Sequence, residues 1–321
     1  MKLSPKPKER PGWPWTVPTR STIKKAPSSE KLPKISIVTP SFNQDSFLEA
    51  AIKSVVEQNY PNLEYIVVDG KSTDNSLKII EAHSHLISHW ISESDKGQYD
   101  AINKGFNLSS GEIMSWINSD DMYNCDALIT VGEIFSLFSE VEWITSIRPL
   151  HINSAGKYLY CPRLTGYHKR GFQRGEYVVG KIPFKSGWIP QESTFWRRSL
   201  WERAGGKLDD SMVMAGDFEL WTRFYDLTDL YGIDHPLGVF RHHPEQKTSI
   251  DLQKYKSEAE TILMSKYGQK KRLLYLFTRN CVARLPAILR KPFNKIGLAY
   301  PSRIIIRDRK EYKWSIIKTF V

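Results

Sequence analysis

The sequence predicts an α/β fold, with a mixed but mostly parallel sheet flanked by helices. Three observations predict it. Short β-branched runs alternate with helix-spaced runs between residues 35 and 117, and that alternation builds a parallel sheet. Each apolar run gives way to a polar loop: Pro40-Ser41-Phe42-Asn43, Asp69-Gly70, Ser92-Glu93-Ser94-Asp95 and Asp120-Asp121. Loops that follow parallel strands gather on one rim, where open α/β sheets bind their ligands. The run Ile113, Met114, Trp116, Ile117 stops at two adjacent carboxylates, Asp120 and Asp121. Neighbouring acids repel unless a cation or hydrogen-bond donors sit between them. Mg²⁺ and Mn²⁺ take carboxylate and phosphate oxygens together, so a metal-held diphosphate is the economical reading. The competing reading is a solvated turn in which Asp caps the next helix.

The elements follow in order. Residues 1–33 are rich in Pro, Lys and Ser and read as a basic tail or strap, with Trp13 and Trp15 available to dock on the body. The ordered domain is expected over 34–250. Ile35 to Thr39 is a short strand closed by Pro40, and Phe47 to Gln58 has helical spacing through Ala51, Ile52, Val55 and Val56. Tyr65 to Val68 is a second strand. Asp74 or Ser72 is placed to cap a helix carrying Leu77, Ile79 and Ile80. His89 to Ser92 reads as a third strand, Tyr99 to Phe106 as a short helix and Ile113 to Ile117 as the next strand. The extension over 251–321 reads as helical and basic. There Leu273, Leu274, Leu276, Phe277, Val282, Leu285, Ile288 and Leu289 are interleaved with Arg279, Arg284, Arg290 and Lys291, and the run is broken at Pro286 and Pro292.

Charge is divided along the chain. Of the net +11, residues 1–34 carry +7 and residues 262–321 carry +13, leaving −9 in the middle. An acidic centre with basic ends argues against a nucleic-acid-binding core and suits contact with an anionic membrane surface. The three cysteines, Cys125, Cys161 and Cys281, are far apart. They show neither a disulfide framework nor metal-ligand spacing, which favours a reducing compartment. No signal-peptide h-region and no spanning apolar stretch is read. The expected location is cytoplasmic, with the option of a peripheral place on the cytoplasmic membrane face.

Four ordered motifs carry a resemblance. They are Ile35-Ser36-Ile37-Val38-Thr39-Pro40-Ser41-Phe42-Asn43, Val67-Val68-Asp69-Gly70-Lys71-Ser72-Thr73-Asp74, the run from Asp95 to Gly105, and Asn118-Ser119-Asp120-Asp121. Together they resemble family-two glycosyltransferases of the GT-A fold over roughly residues 34–250. The resemblance implies inverting transfer of a sugar from a nucleotide-diphosphate donor, with Mn²⁺ or Mg²⁺. Uracil is the family's commonest base, so a UDP-sugar is the first donor to test. Carried over residue by residue, Pro40 and Phe42 border the base and Asp69 meets base or ribose. Gly70 stands where some members have a second acid, which removes one donor contact. Asp95 and Lys96 form a donor-site loop, and a Lys there suits phosphate as a point charge. Asp121 is the expected metal ligand, with Asp120 on the ribose or sugar side.

The second half supplies the acceptor side. Val213 to Trp221 looks like the family's Gly-Asp element, which places Asp217 on its catalytic base. Inverting transfer needs one base to take the acceptor's proton during in-line attack. Glu219 competes, but on a helix positions 217 and 219 point about 200° apart. Gln191 and Glu192 are expected in the acceptor groove. Trp188 and Trp196 offer faces for a sugar, or else belong to the core. The late segment Phe240 to Ser249 resembles the family's closing loop, where His242 or His243 is a further metal-ligand candidate and Arg241 and Lys247 would meet phosphate. The resulting expectation is sugar transfer to a hydroxyl of a glycan or lipid-linked acceptor, in cell-surface polysaccharide or glycoconjugate biosynthesis. Two alternatives stand beside it. One is a non-catalytic glycan- or membrane-surface-binding protein on the same scaffold. The other is a sugar nucleotidyltransferase, which wants a Gly-rich phosphate loop after its first strand, and Pro40-Ser41-Phe42-Asn43 is not one.

Overall fold

The computed structural model describes residues 32–179, 187–268, 273–308 and 310–321. The expected N-terminal tail, with Trp13 and Trp15, lies outside the described residues. Strands β1 (Ile35–Ser41), β2 (Leu63–Asp69), β3 (His89–Ser92) and β4 (Ile113–Trp116) alternate with helices α1 (Asp45–Val56), α2 (Ser76–His83) and α3 (Gln98–Leu108). Next come β5 (Met122–Tyr123), α4 (Ala127–Leu137), β6 (Trp143–Ser146), β7 (Leu150–Asn153) and β8 (Tyr158–Tyr160). They are followed by α5 (Lys169–Gln173), β9 (Phe195–Arg197), α6 (Arg198–Arg203), α7 (Gly216–Leu227), β10 (Tyr231–Ile233) and β11 (Gly238–His242). The C-terminal part holds α8 (Lys247–Ile250), α9 (Leu252–Tyr267), α10 (Leu273–Ala283), α11 (Ala287–Arg290), a 3₁₀ segment Lys291–Ile296, β12 (Pro301–Arg307) and β13 (Trp314–Phe320).

Among the described residues, nine strands form the main sheet in the order β13-β12-β10-β6-β9-β4-β1-β2-β3. β1 pairs parallel with both β2 and β4, with Val38 opposite Ile66 and Trp116. β9 runs antiparallel between β4 and β6. Successive side chains on a strand point to opposite faces, and the core divides accordingly. Val38, Met114 and Trp116 pack with α3, α6, α7 and α9 through Phe106, Trp201, Phe224 and Ala259. Ile35, Ile37 and Ile113 pack on the other face with α1, α2 and α4 through Ile52, Ile80 and Val131.

The chain order reverses at β1, whose neighbours β2 and β4 lie on opposite sides. A crevice opens at the carboxyl ends of strands at such a reversal, and Pro40-Ser41-Phe42 and Asn118 to Asp121 both lie there. A second, four-stranded sheet, β5-β11-β7-β8, stands beside it.

Among the described residues the C-terminal extension is helical in α9, α10, α11 and the 3₁₀ segment, as expected, and departs from that expectation beyond Ile296. β12 and β13 form an antiparallel pair, and β12 adds parallel to β10. Ile304 and Ile305 are buried in the sheet. The β-branched run Ile304-Ile305-Ile306 was the strand signal, and the flanking Arg residues hid it.

Candidate active site

A cavity of about 590 Å³ sits at the β1/β4 crevice. Its walls come from both sheets and from the α8–α9 junction, and include Pro40, Phe42, Asp95, Asp120, Asp121, Trp188, Gln191, Glu192, Asp217, His242 and Lys247. Two residues expected on the donor side lie outside it. Asp69 is fully buried, and its carboxylate accepts from Ser72 N (3.0 Å), Ser72 Oγ and Ser92 Oγ (2.6 Å). It ties the β2 loop to β3. Lys96 is exposed on the loop, where its backbone N–H donates to Asp100.

On the donor side, Phe42 is 59% exposed at the mouth, an aromatic face open to a ring. The Asp95 carboxylate accepts from Gly97 N at 2.9 Å. It fills the space that a side chain at position 70 would need: a Cβ on Gly70 would come within 2.5 Å of Asp95 Oδ2 and 3.3 Å of the Phe42 ring. The missing second acid of the Asp-Gly pair is therefore the condition for Asp95 and Phe42 to close over this spot.

The acidic turn is held from behind by β11. Arg241 N donates to Asp121 Oδ1 (2.9 Å), and Arg241 Nε donates to Asp120 O (2.7 Å). The Arg241 guanidinium is thereby committed to the turn and to Ser154 O. It does not line the cavity, contrary to the expectation that it meets phosphate. The two histidines diverge because adjacent residues at a strand end face opposite ways. His243 Nε2 lies 3.0 Å from Asp120 Oδ2. His242, the residue expected on the metal, instead has Nε2 2.9 Å from His151 Nδ1. Asp121 is buried. Burial, then Asp120 and Glu192, push its carboxyl well above the usual range, and Arg241 opposes the effect without reversing it. Lys247 reaches this region from α8, with Nζ donating to Gln98 Oε1 at 2.9 Å. Burial lowers its pKa, and Asp120 and Asp95 oppose the effect.

Across the cavity, Asp217 stands in the first turn of α7, where an anion is favoured by the helix dipole. Its Oδ1 accepts from Phe218 N at 2.7 Å. Burial pushes its carboxyl up to about 6. The buried Tyr99 and Tyr255 both feel its charge. The approach is close: a Cβ on Gly216 would meet the Tyr99 ring at 2.7 Å. Glu219, the competing acid, is spent on Arg223 one turn on (2.7 Å) and does not line the cavity. Glu192 lies between the two acidic centres. It is 3% exposed, its Oε1 has no hydrogen-bond partner, and burial, with Asp217 adding, pushes its carboxyl up to about 7. Gln191 Nε2 is anchored on Trp116 O at 2.8 Å. Trp196 belongs to the core, packed against Trp116, Trp201 and Trp221.

Two features escaped the sequence. The second sheet adds an aromatic wall in which His151 stacks on Tyr160 (4.3 Å) and meets Trp188 edge-on (5.6 Å). Glu258 of α9 accepts the N–H groups of Met214 and Ala215, both at 2.9 Å, and so caps α7 from a neighbouring helix. Only an acid at helical spacing on α9 signalled the second, and nothing local pointed to its partner.

The model described as glycosyl transferase family 2 matches residues 36–131, which include the acidic turn. A glycosyltransferase of Mycobacterium tuberculosis, itself uncharacterised, is 36% identical over 199 residues, covering 60% of this chain and 68% of the relative. The chain belongs to glycosyl transferase family 2. A second family relative, an uncharacterised glycosyltransferase of Rickettsia prowazekii, is 24% identical over 221 residues, covering 68% of this chain and 67% of that one. Among solved structures, residues 1–349 of S. aureus TarS in complex with UDP-GlcNAc superpose with a TM-score of 0.53 at 15% identity, covering 80% of this chain and 69% of that one. Of a longer TarS structure this chain spans 47%. The mannosyltransferase PcManGT from Pyrobaculum calidifontis, in complex with GDP-Man and Mn²⁺, gives 0.52 at 20% identity, covering 77% and 67%. These likenesses show that the chain has the GT-A fold.

Proposed function

We propose that this family-two member is a metal-dependent inverting glycosyltransferase. In this reading it moves a sugar from a nucleoside-diphosphate donor to a hydroxyl of a glycan or lipid-linked acceptor, in cell-surface polysaccharide or glycoconjugate synthesis. The observation that carries the reading is that Asp217 shares one cavity with Asp120 and Asp121. Pro40, Phe42 and Asp95 would border the nucleoside, and Lys247 would meet the diphosphate. The donor complexes of TarS and PcManGT support the donor class.

The acidic turn fits a divalent cation: Asp120 and Asp121 offer adjacent hard oxygens at the cavity wall, and burial beside Asp120 and Glu192 disfavours the charged form of Asp121 unless a cation joins it. The Mn²⁺ in the PcManGT complex supports the same choice. Among the described residues no three acid, His or Cys side chains gather in ligating geometry, so diphosphate and water would complete the shell. When bound, the cation neutralises charge growing on the leaving diphosphate. Asp217 accepts the acceptor hydroxyl's proton as that oxygen bonds to the anomeric carbon and the bond to the diphosphate breaks. Gln191, Glu192 and Trp188 would hold the acceptor, with Trp188 offering a flat face to a pyranose.

The test is a panel of UDP-, GDP- and TDP-sugars, assayed for hydrolysis and transfer with and without Mn²⁺. Asp121→Ala is expected to lose metal-dependent donor binding, and Asp217→Asn to bind donor without transferring. The opposite pattern would reverse the assigned roles. Donor binding with no turnover by the wild type under any condition would favour a non-catalytic binder.

A further inference from the structure

The segment after α9 presents a surface unrelated to the cavity. Between Glu260 and Asp308 the chain contains no acidic residue. Among the described residues from α10 to Asp308, four large apolar side chains stand in solvent: Phe277 is 68% exposed, Ile288 82%, Leu289 54% and Ile296 68%.

Their exposure is built in. Arg290, itself buried, donates from Nε to Leu285 O (2.7 Å) and from Nη1 to Phe320 O (3.0 Å), fastening the α11 ridge to β13. Tyr275 OH lies 2.6 Å from Tyr300 OH, and Arg279 Nη2 lies 3.3 Å from the buried Glu176. Tyr275 and Arg279 are four apart on one face of α10, turned to the body. Phe277 is about 200° round the helix from Tyr275 and faces away. Arg284, Lys291 and Lys295 are exposed around these prongs.

We propose that this ridge docks on an anionic phospholipid bilayer. Apolar side chains would enter the headgroup–acyl boundary while the surrounding cations meet lipid phosphate. Charge selects the occupant: a folded protein partner ordinarily asks for both signs, and a nucleic acid would recruit the cations but leave four apolar prongs wet. The proposal goes beyond the transfer reaction, because no ridge residue lines the cavity.

The experiment is sedimentation of the full chain with phosphatidylglycerol-containing vesicles and with pure phosphatidylcholine vesicles. Binding is expected only to the anionic vesicles, weakening as salt rises from about 0.15 M to about 1 M. Ile288→Ser/Leu289→Ser/Ile296→Ser is expected to weaken it at least about tenfold, with melting temperature and hydrolysis of soluble donor unchanged. Lys291→Glu/Lys295→Glu should weaken it similarly and serves if the triple variant fails to fold. Retained binding in the folded ridge variants would mean that the basic N-terminal residues carry it, and the proposal falls. It falls equally if the wild type ignores anionic vesicles, or if the ridge instead makes a dimer seen by sedimentation velocity. Each of these results is readable whether or not sugar transfer is ever detected.

Discussion

Asp217→Asn separates chemistry from stability in a single residue. Burial raises the Asp217 carboxyl from 3.8 to about 6, so the charged form is disfavoured in the folded protein. The cost is absent below the unfolded value near 3.8, grows between there and about 6, and is fully present above. A displacement of that size corresponds to at most about 3 kcal/mol, and nearer 1–2 kcal/mol because the side chain keeps partial solvent contact. Asparagine removes the charge at nearly constant shape. The variant should therefore melt higher than wild type at pH 7.5 and about equally at pH 4. Loss of the base should lower the transfer rate by about 10² to 10⁴-fold, with donor affinity unchanged. In the wild type, kcat/KM should rise with pH through about 6 as the base deprotonates. Differential scanning fluorimetry at the two pH values, paired with donor titration and a transfer assay, reads all three quantities. A variant that transfers within tenfold of wild type, or that gains no stability at pH 7.5, would refute the reasoning.

Glu258→Ala removes the acceptor for the Met214 and Ala215 N–H groups. It should cost about 1–3 kcal/mol and lower kcat while donor affinity holds; Glu258→Gln should recover part of both, as measured by melting and kinetics. Gly70→Ala drives a methyl into Asp95 and Phe42 and should weaken nucleotide binding by about 1–2 kcal/mol, read by calorimetric titration of UDP and GDP. Glu64, at the far end of the sheet, is buried, which alone would raise its pKa. Hydrogen bonds from Lys34, Ser36 and Ser110 outweigh burial and hold it down to about 2. Its contribution, on the order of 3 kcal/mol, is complete above about pH 4.5 and lost as pH falls toward 2. Glu64→Gln should therefore flatten the acid side of the stability curve, and an unchanged slope would count against it.

Much of the fold was legible because its signals are local. The first four strands showed as short apolar or β-branched runs and the three helices as apolar residues recurring every turn, with bounds within a few residues, because strands covered on both faces are apolar throughout and a helix buries one stripe. The convergence of Pro40, Phe42, Asp95, Asp120 and Asp121 was also legible, because loops after parallel strands share a rim. The short strands of the second sheet were not, as β5 and β8 span two and three residues and have no period to read.

The sequence by itself determined the parallel α/β frame, the order of acidic loops along it and the family to which the chain belongs. Tertiary structure alone decided which polar side chains are spent inside the protein and which face the cavity. Asp69 and Arg241 went to holding loops, His242 to His151 at the cavity wall, and His243 to Asp120. The partners of Arg241, His242 and His243 lie 121, 91 and 123 residues away, and hydrogen bonds between distant residues leave no pattern in either one's neighbourhood.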